Sequence, residues 1–287
     1  MSNRNLVLEN LIDRCIGSPP FIFIKLQEAM DDPNSSFADF ESIISTDSNL
    51  AARLLKMANS SFYGLETKIE TITQALGVVG TKPMVEMALT SVMFDKMKSI
   101  ESNIRGIRGF WKHNVACGLA ARIIGQTMGR DDLETLYTAG MLHDMGTLVI
   151  NYENPKKALQ ILTRCKSEGI PQCQAEEEEL GFSHARLGAL IFKEWRFSPV
   201  LVECVDYHHE PSKGINYPLE TAIVHVADYL VHSMHMDYED GFPLPPLDPK
   251  VTGFSSVSRQ SLGYIRQAVN AQMAEVFDFF ALESLAA

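Results

Sequence analysis

Apolar residues recur along most of the chain at the three- and four-residue spacing of amphipathic helices. In the segment 49–58, for example, Leu50, Leu54 and Ala58 are spaced so that they share one helix face. The sequence contains no convincing strand, because β-branched residues alternating with polar ones are nearly absent, and it contains no internal repeat. The pattern therefore predicts an all-α protein.

Helix start and stop signals divide this pattern into segments. Pro83 and Pro199 occupy favourable first-turn positions, and Asp31-Asp32-Pro33 ends an early helix. The predicted helices cover 21–30, 37–44, 49–58, 71–79, 83–97, 110–128, 132–143, 153–168, 174–180, 183–195, 199–208, 218–236 and 257–284. Three parts follow: an N-terminal helical half (1–100), a second helical half (101–237), and a proline-rich loop with a C-terminal helix (238–287) that packs on the rest.

Composition narrows the class of protein. The chain has 287 residues, of which 46% are hydrophobic, enough for a core in one large or two modest domains. Its formal charge of -11 disfavours nucleic acid and anionic membranes as partners. No apolar run reaches the roughly 18–20 residues of a membrane span, and Glu9 and Asp13 interrupt the first apolar stretch, unlike a secretory signal. We expect a cytoplasmic protein.

The five cysteines form no C-x-x-C pair. Cys117 and Cys204 lie in apolar helical patterns, which favours buried, reduced thiols. Cys165 and Cys173 flank a turn that contains Gly169 and Pro171, so a pairing between these two cysteines stays open.

Several of the eight histidines, together with two aspartates, fall at helix ends or on apolar faces. They are His113, His143, Asp144, His184, His208, His209 and Asp228. Each histidine alone is more often a hydrogen-bonded core residue. Asp228 is more telling, because Val224 and Val231 lie beside it on its helix and predict that its carboxylate is buried. Such a carboxylate must be paired with a cation, protonated or bound to a metal. Imidazoles mixed with carboxylates suit Mn, Fe, Co, Ni or Zn.

The ordered set resembles the HDOD family (HD-related output domain), a branch of the HD phosphohydrolase superfamily. The resemblance covers nearly the whole chain. It is carried by IISTDSNLAARLLKMANSSFYG (43–64), ITQALGVVG (72–80), FWKHNVACGLAARI (110–123), YTAGMLHDMG (137–146), GFSHARLGALIFKEW (181–195), VDYHHEP (205–211) and IVHVADYL (223–230). It implies a multi-helix HD-like bundle with an N-terminal helical subdomain. It also implies that all seven residues of the set bind one or two divalent transition-metal ions (Fe, Mn, Ni or Zn), with Asp144 as the bridge.

The chain departs from catalytically active HD relatives at several positions. Thr147 stands where their motif carries a lysine, and Gly109 stands where HD-GYP enzymes carry a glutamate. No Lys or Arg follows Asp228 in the segment 229–236. The resemblance therefore implies a signal-transduction output module with other signalling proteins as partners and little or no hydrolase activity.

Two alternatives stay open. One is a metal-dependent phosphohydrolase acting on a nucleotide or cyclic dinucleotide, with Asp144 catalytic and a small phosphorylated ligand bound. The other is a metal-free scaffold in which the seven polar residues bond one another. Two further motifs are interpreted as structural: the segment 59–63 as a helix end with an aromatic anchor, and the acidic run 176–179 as a solvated helix face.

Overall fold

The computed structural model describes residues 19–60, 63–64, 67–98, 107–234, 243–251 and 259–279, and these residues are helical without any strand. The all-α prediction is therefore confirmed. The helices are α1 (Phe21–Asp31), α2 (Phe37–Ile44), α3 (Ser48–Ala58), α4 (Ile72–Val79), α5 (Thr81–Lys98), α6 (Ile107–Thr127), α7 (Leu133–Leu142), α8 (Met145–Glu153), α9 (Pro155–Glu168), α10 (Gln172–Leu180), α11 (His184–Glu194), α12 (Pro199–Tyr207), α13 (Pro218–Ser233) and α14 (Arg259–Phe279), with a 3-10 turn at Pro211–Lys213.

The described residues form two compact units. One contains α1 to α5 together with the end of α14 from Ala271 onward. The other contains α6 to α13 and the part of α14 up to Asn270. None of the described helices combines the length and the apolarity that crossing a membrane requires.

Side-chain caps fix the helix starts of the first of these units. The Asp47 side chain accepts hydrogen bonds from the backbone N–H groups of Asn49 and Leu50, at 2.9 and 3.0 Å. Thr71 and Gln74 form a reciprocal capping box at the start of α4. Asn59 ends α3, and its side chain bonds both backbone groups of Ile69, which agrees with the structural interpretation of that segment. Ser61 and Phe62 lie outside the described residues.

The other unit is organised around α6, which packs against α7 and α13. Close approach at the α6–α7 crossing depends on Gly140, since a Cβ there would lie 2.7 Å from the carbonyl oxygen of Cys117. The crossing brings His113 and Cys117 of α6 next to the end of α7, where His143 follows Leu142. Small residues at the crossing thus position part of the polar cluster.

The helix α8 has no counterpart among the predicted helices, which leave 144–152 unassigned. Its residues Met145 to Asn151 are all buried, so the segment has no polar face and lacks the periodicity that identifies an amphipathic helix. Gly146 allows its first turn to touch α11, because a Cβ at this position would lie 2.1 Å from the carbonyl oxygen of His184. The other predicted helices are present among the described residues, and the ends that can be compared differ by up to a few residues. The predicted ends 236, 257 and 284 lie outside the described residues.

Cysteine chemistry in the described part of the chain is simple. None of the described cysteines forms a disulfide; they are Cys117, Cys165, Cys173 and Cys204. The pairing between Cys165 and Cys173 that the sequence left open is therefore absent from the structure. Cys117 and Cys204 are buried, as their helical patterns predicted.

Candidate metal centre

All of the site residues predicted from sequence converge in the unit built from α6 to α13. His113 comes from α6, His143 and Asp144 from the α7–α8 junction, His184 from the start of α11, His208 and His209 from the end of α12, and Asp228 from α13. All except His209 are buried, and His209 is partly buried. Asp228 is 1% exposed, so the predicted burial of this carboxylate is confirmed.

Four of the buried side chains form a first group, called site A below: His113, Cys117, His143 and Asp228. One potential ligand atom from each lies within 4.8 Å of all the others. The Oδ1 atom of Asp228 is 3.0 Å from Nε2 of His113 and 3.6 Å from Nε2 of His143. Two ligands that each lie about 2.1 Å from one ion are roughly 3 to 4 Å apart, which these separations match.

A second group, called site B, comprises Asp144, His184, His208 and His209. Asp144 Oδ1 lies 3.0 Å from Nε2 of His184 and 3.8 Å from Nε2 of His208. The Nε2 atoms of His184 and His209 are 2.8 Å apart. The other carboxylate oxygen of Asp144 lies 3.9 Å from His113 Nε2 in site A. Asp144 thus stands between the two groups.

Two imidazoles are oriented by the helix ends that carry them. Nδ1 of His143 donates to the carbonyl oxygen of Gly140 at 2.7 Å, and Nδ1 of His208 donates to that of Val205 at 2.8 Å. A carbonyl oxygen can only accept, so the proton sits on Nδ1 and the Nε2 lone pair points into the cluster. The final carbonyls of a helix lack intrahelical partners, which is why a histidine just past the end fits there.

His184 is held by a carboxylate. Glu176 Oε2 accepts from both the backbone N–H and the Nδ1 of His184, at 2.7 and 2.6 Å. Ser183 caps α11, because its side-chain oxygen accepts from the backbone N–H of Arg186, and this places His184 at the first helical position. A carboxylate on the far nitrogen of a ligating imidazole is the usual outer partner in metal sites.

The electrostatics of the cluster favour ionised carboxylates. Burial opposes charge on Asp144, but His143 and His184 outweigh it and hold the pKa of this carboxyl well below its usual range. Burial also opposes charge on Asp228, whose pKa is held low by His232 and His113. Burial lowers the pKa of His209 to about 3, aided by the charge on His184. The cluster therefore offers anionic oxygens together with the imidazole nitrogens of His208 and His209, whose pKa values both lie below the usual range.

Some buried polar atoms of the cluster have no hydrogen-bond partner among the described residues. These atoms are Nε2 of His143 and Nε2 of His208. Leaving a buried polar atom unsatisfied costs about 1–3 kcal/mol. Both atoms face the interior of the cluster, where a cation would contact them, so the residues present fit a metal ion.

Several members of this region were missed by the sequence. Glu176 was assigned to a solvated face with the rest of its acidic run, which is wrong for this residue, since it is 1% exposed and binds His184. His232 places Nε2 3.2 Å from Asp228 Oδ1. The i, i+4 spacing of Asp228 and His232 in the sequence could have indicated that these two side chains are neighbours. His225 is buried and donates to the carbonyl of His208, while its other nitrogen accepts from the backbone of Asp248.

A small pocket opens onto the cluster. Asp144, His184, His209, Asp228 and His232 line its polar side. The remaining lining residues are Cys165, Pro171, Gln172, Cys173, Pro243 and Pro245. Its volume is about 50 Å³, room for a few water-sized groups. The described lining contains neither lysine nor arginine.

Comparison with known proteins identifies the family of the chain. The family model of the HDOD domain matches residues 16–211, well over half of the chain. The chain belongs to the HDOD family. The HDOD match includes α6 to α12 and thus every predicted site residue except Asp228.

Relatives of the HDOD chain are distant in sequence. An uncharacterized protein of Treponema pallidum is 23% identical over 203 residues, which cover 70% of this chain and 39% of that protein. An "HDOD domain protein with unknown function" from Geobacter sulfurreducens has a TM-score of 0.71 at 23% identity, covering 98% of each chain. A "Putative phosphohydrolase" from Shewanella amazonensis has a TM-score of 0.70 at 20% identity, also covering 98% of each. These structures share the fold.

Proposed function

We propose that this HDOD chain is a signal-transduction output module whose cluster holds one or two divalent transition-metal ions and which has little or no hydrolase activity. Asp144, His184, His208 and His209 would hold an ion in site B. His113, His143 and Asp228 would hold an ion in site A. The metal would supply a fixed positive charge that ties several helices together.

The observation that carries the proposal is that Nε2 of His143 in site A and Nε2 of His208 in site B are buried and have no hydrogen-bond partner among the described residues. A closed metal-free network should pair its buried members, yet His143 Nε2 lies 3.6 Å from the nearest Asp228 oxygen and 3.7 Å from Asp144 Oδ1. Both separations exceed a hydrogen bond and match two ligands of one ion. This favours the metal-binding alternative over the metal-free scaffold.

The proposal of weak or absent turnover rests on missing positive charge. Phosphoryl transfer depends on cationic groups placed around the transferring phosphate. Thr147, at the position of the expected lysine, is 2% exposed and lies in the core. The small pocket volume is a second argument, since binding pockets for drug-sized ligands measure roughly 300–1,000 Å³.

The first experiment measures metal. The full chain is purified without chelator and its metal content is determined by elemental analysis, in parallel with Asp144→Ala and with Asp206→Ala as a control. Asp206 pairs with Arg186 outside the cluster. We expect one to two equivalents in the wild type and in the control, and a clear loss in Asp144→Ala. Equal, near-zero metal in all samples would overturn the metal site.

The second candidate function is a metal-dependent phosphohydrolase, and the carboxylates of Asp144 and Asp228 lining an open pocket favour it. The Shewanella amazonensis structure that shares the fold is described as a "Putative phosphohydrolase", which points the same way. The assay is turnover of phosphomonoesters, phosphodiesters, nucleotides and cyclic dinucleotides with added Mn²⁺ or Fe²⁺. If the protein turns over one of these substrates and His143→Ala abolishes this activity, the phosphohydrolase hypothesis would replace the proposal of a module with little or no activity.

Partners and location belong to the proposal as well. The proposed protein partners are other signalling proteins. If the protein is a phosphohydrolase, the proposed ligand of the pocket is a small phosphorylated molecule. Free thiols at four described cysteines support a reducing, cytoplasmic environment.

A further inference from the structure

His225 is a buried histidine of α13 that is not among the proposed ligands and yet uses both of its ring nitrogens. Nδ1 donates to the carbonyl oxygen of His208 at 2.6 Å, and Nε2 accepts from the backbone N–H of Asp248 at 2.9 Å. A carbonyl oxygen only accepts and a backbone N–H only donates, so the proton lies on Nδ1. His225 therefore joins a proposed ligand to the proline-rich loop.

The contact with His208 restrains both histidines at the end of α12. The carbonyl of His208 belongs to the peptide bond that joins it to His209, so a hydrogen bond to this oxygen fixes the orientation of that peptide. On the cluster side, Nε2 of His208 lies 3.8 Å from Oδ1 of Asp144, and Nε2 of His209 lies 2.8 Å from Nε2 of His184. An ion held by these nitrogens would restrain the same peptide from the other side.

The contact with Asp248 holds the described part of the proline-rich loop, residues 243–251, called the strap below. Pro243 and Pro245 of the strap line the pocket that opens onto the cluster. Asp248 is bound a second time, because its Oδ2 accepts from the backbone N–H of Ser212 at 3.2 Å. Asp248 thus anchors one wall of the pocket.

We infer that His225 is a positioning residue that couples the ion in site B to the strap, so that metal loading sets how firmly this pocket wall is held. The inference rests on the metal centre proposed above. The contacts run from the ion through the peptide after His208 and the ring of His225 to the backbone of Asp248. Coupling of this kind is reciprocal, so the anchored strap tightens ion binding by the factor by which the ion stabilises the strap.

The test is hydrogen exchange of the full chain with zinc and after treatment with a chelator. Mass spectrometry of peptides that cover 243–251 follows the Asp248 amide, and calorimetric titration of the same samples measures zinc binding separately. In the wild type we expect zinc to slow this exchange by at least about fivefold, the lower end of usual coupling between two sites. Zinc binding without a change in strap exchange would overturn the coupling and leave the metal centre intact. Absence of zinc binding would overturn both.

Two substitutions of His225 separate its two contacts. The asparagine amide reaches about as far as Nδ1, whereas the glutamine amide reaches about as far as Nε2. His225→Asn should keep the bond to His208 and lose the one to Asp248, so the strap should exchange fast with or without zinc. His225→Gln should keep an acceptor for Asp248 and lose the bond to His208, so exchange should stay slow with or without zinc. Each variant should weaken zinc binding at site B by the factor measured for the wild-type strap.

Thr221→Val is the matched control, because it removes a buried hydroxyl of the same helix that donates to the carbonyl of Tyr217. This control should keep the slowing of exchange by zinc. A response to zinc in His225→Asn equal to that of the wild type would overturn the role of His225. If neither His225 variant folds, the wild-type comparison decides, since the coupling requires that zinc slow exchange of the Asp248 amide.

Discussion

Glu176 offers the sharpest perturbation of the centre, because it touches a proposed ligand without being one. Its Oε2 accepts from two donors of His184, both in the protein interior. Glu176→Gln keeps the size of the side chain but removes the negative charge that the imidazole faces. The substituted amide can still accept from one donor, so the fold should survive while the basicity of His184 falls.

The structure indicates the size of the effect. Burial opposes a charged His184, yet Glu176 and Asp144 raise the pKa of this imidazole to about 10. Without the Glu176 carboxylate, only Asp144 of these two still raises the pKa of His184, and the imidazole ring is oriented less strongly. Outer partners of metal ligands are typically worth 10- to 100-fold in affinity, which is about 1.4–2.7 kcal/mol. We expect a loss of this size at site B only.

The assay is calorimetric titration of zinc into chelator-stripped protein, at fixed pH, for the wild type and two variants. The matched control is Glu177→Gln, which removes an exposed carboxylate from the same helix. The control should bind zinc like the wild type, and Glu176→Gln should show one weakened step. Identical titrations for the two variants would refute the role of the Glu176 carboxylate as an orienting partner.

Other predictions follow from the same geometry. Gly146→Ala should destabilise the fold strongly, because its Cβ would lie 2.1 Å from the carbonyl oxygen of His184. Gly263→Ala, the control, has open space around its Cβ and should be neutral or slightly stabilising. The melting temperatures of the two variants in thermal denaturation test this difference. Removing metal with a chelator should lower the melting temperature, because an ion at 1,000 times its Kd stabilises by about 4 kcal/mol, and scanning calorimetry with and without zinc measures this. Burial raises the pKa of Cys173 to about 12, so its alkylation should be slow at pH 8 and accelerate as the pH rises, followed by mass spectrometry.

The sequence predicted best what depends on local pattern. Helices with one apolar face were found because three- and four-residue spacing survives in them, as in the Leu50, Leu54 and Ala58 face of α3. The helix α8 was missed for the opposite reason, since Leu148, Val149 and Ile150 are buried on every side. A segment without a polar face carries no period to detect.

The same contrast applies to the site. Histidines at helix ends were identified because position and residue type together are unusual, and all of them converge. Glu176 was missed because its acidic neighbours on α10 are exposed, so the run looks solvated as a whole. Only the tertiary contact with α11 distinguishes it from Glu177. His232 and Cys117 sit one turn from proposed ligands, but helical spacing alone does not separate a ligand from a packed neighbour.

The charge of the centre links its geometry to its proposed role. Counting only Asp144 and Asp228, two divalent ions would leave a positive site that attracts phosphate. The buried Glu176 carboxylate would offset part of that excess, and the described pocket lining adds no lysine or arginine. A centre with a small net charge attracts an anionic substrate only weakly. Such a centre would stabilise the helices that meet at it, and the arrangement of these helices would depend on bound metal. This property suits a signal-transduction module better than it suits an enzyme that hydrolyses a phosphoester.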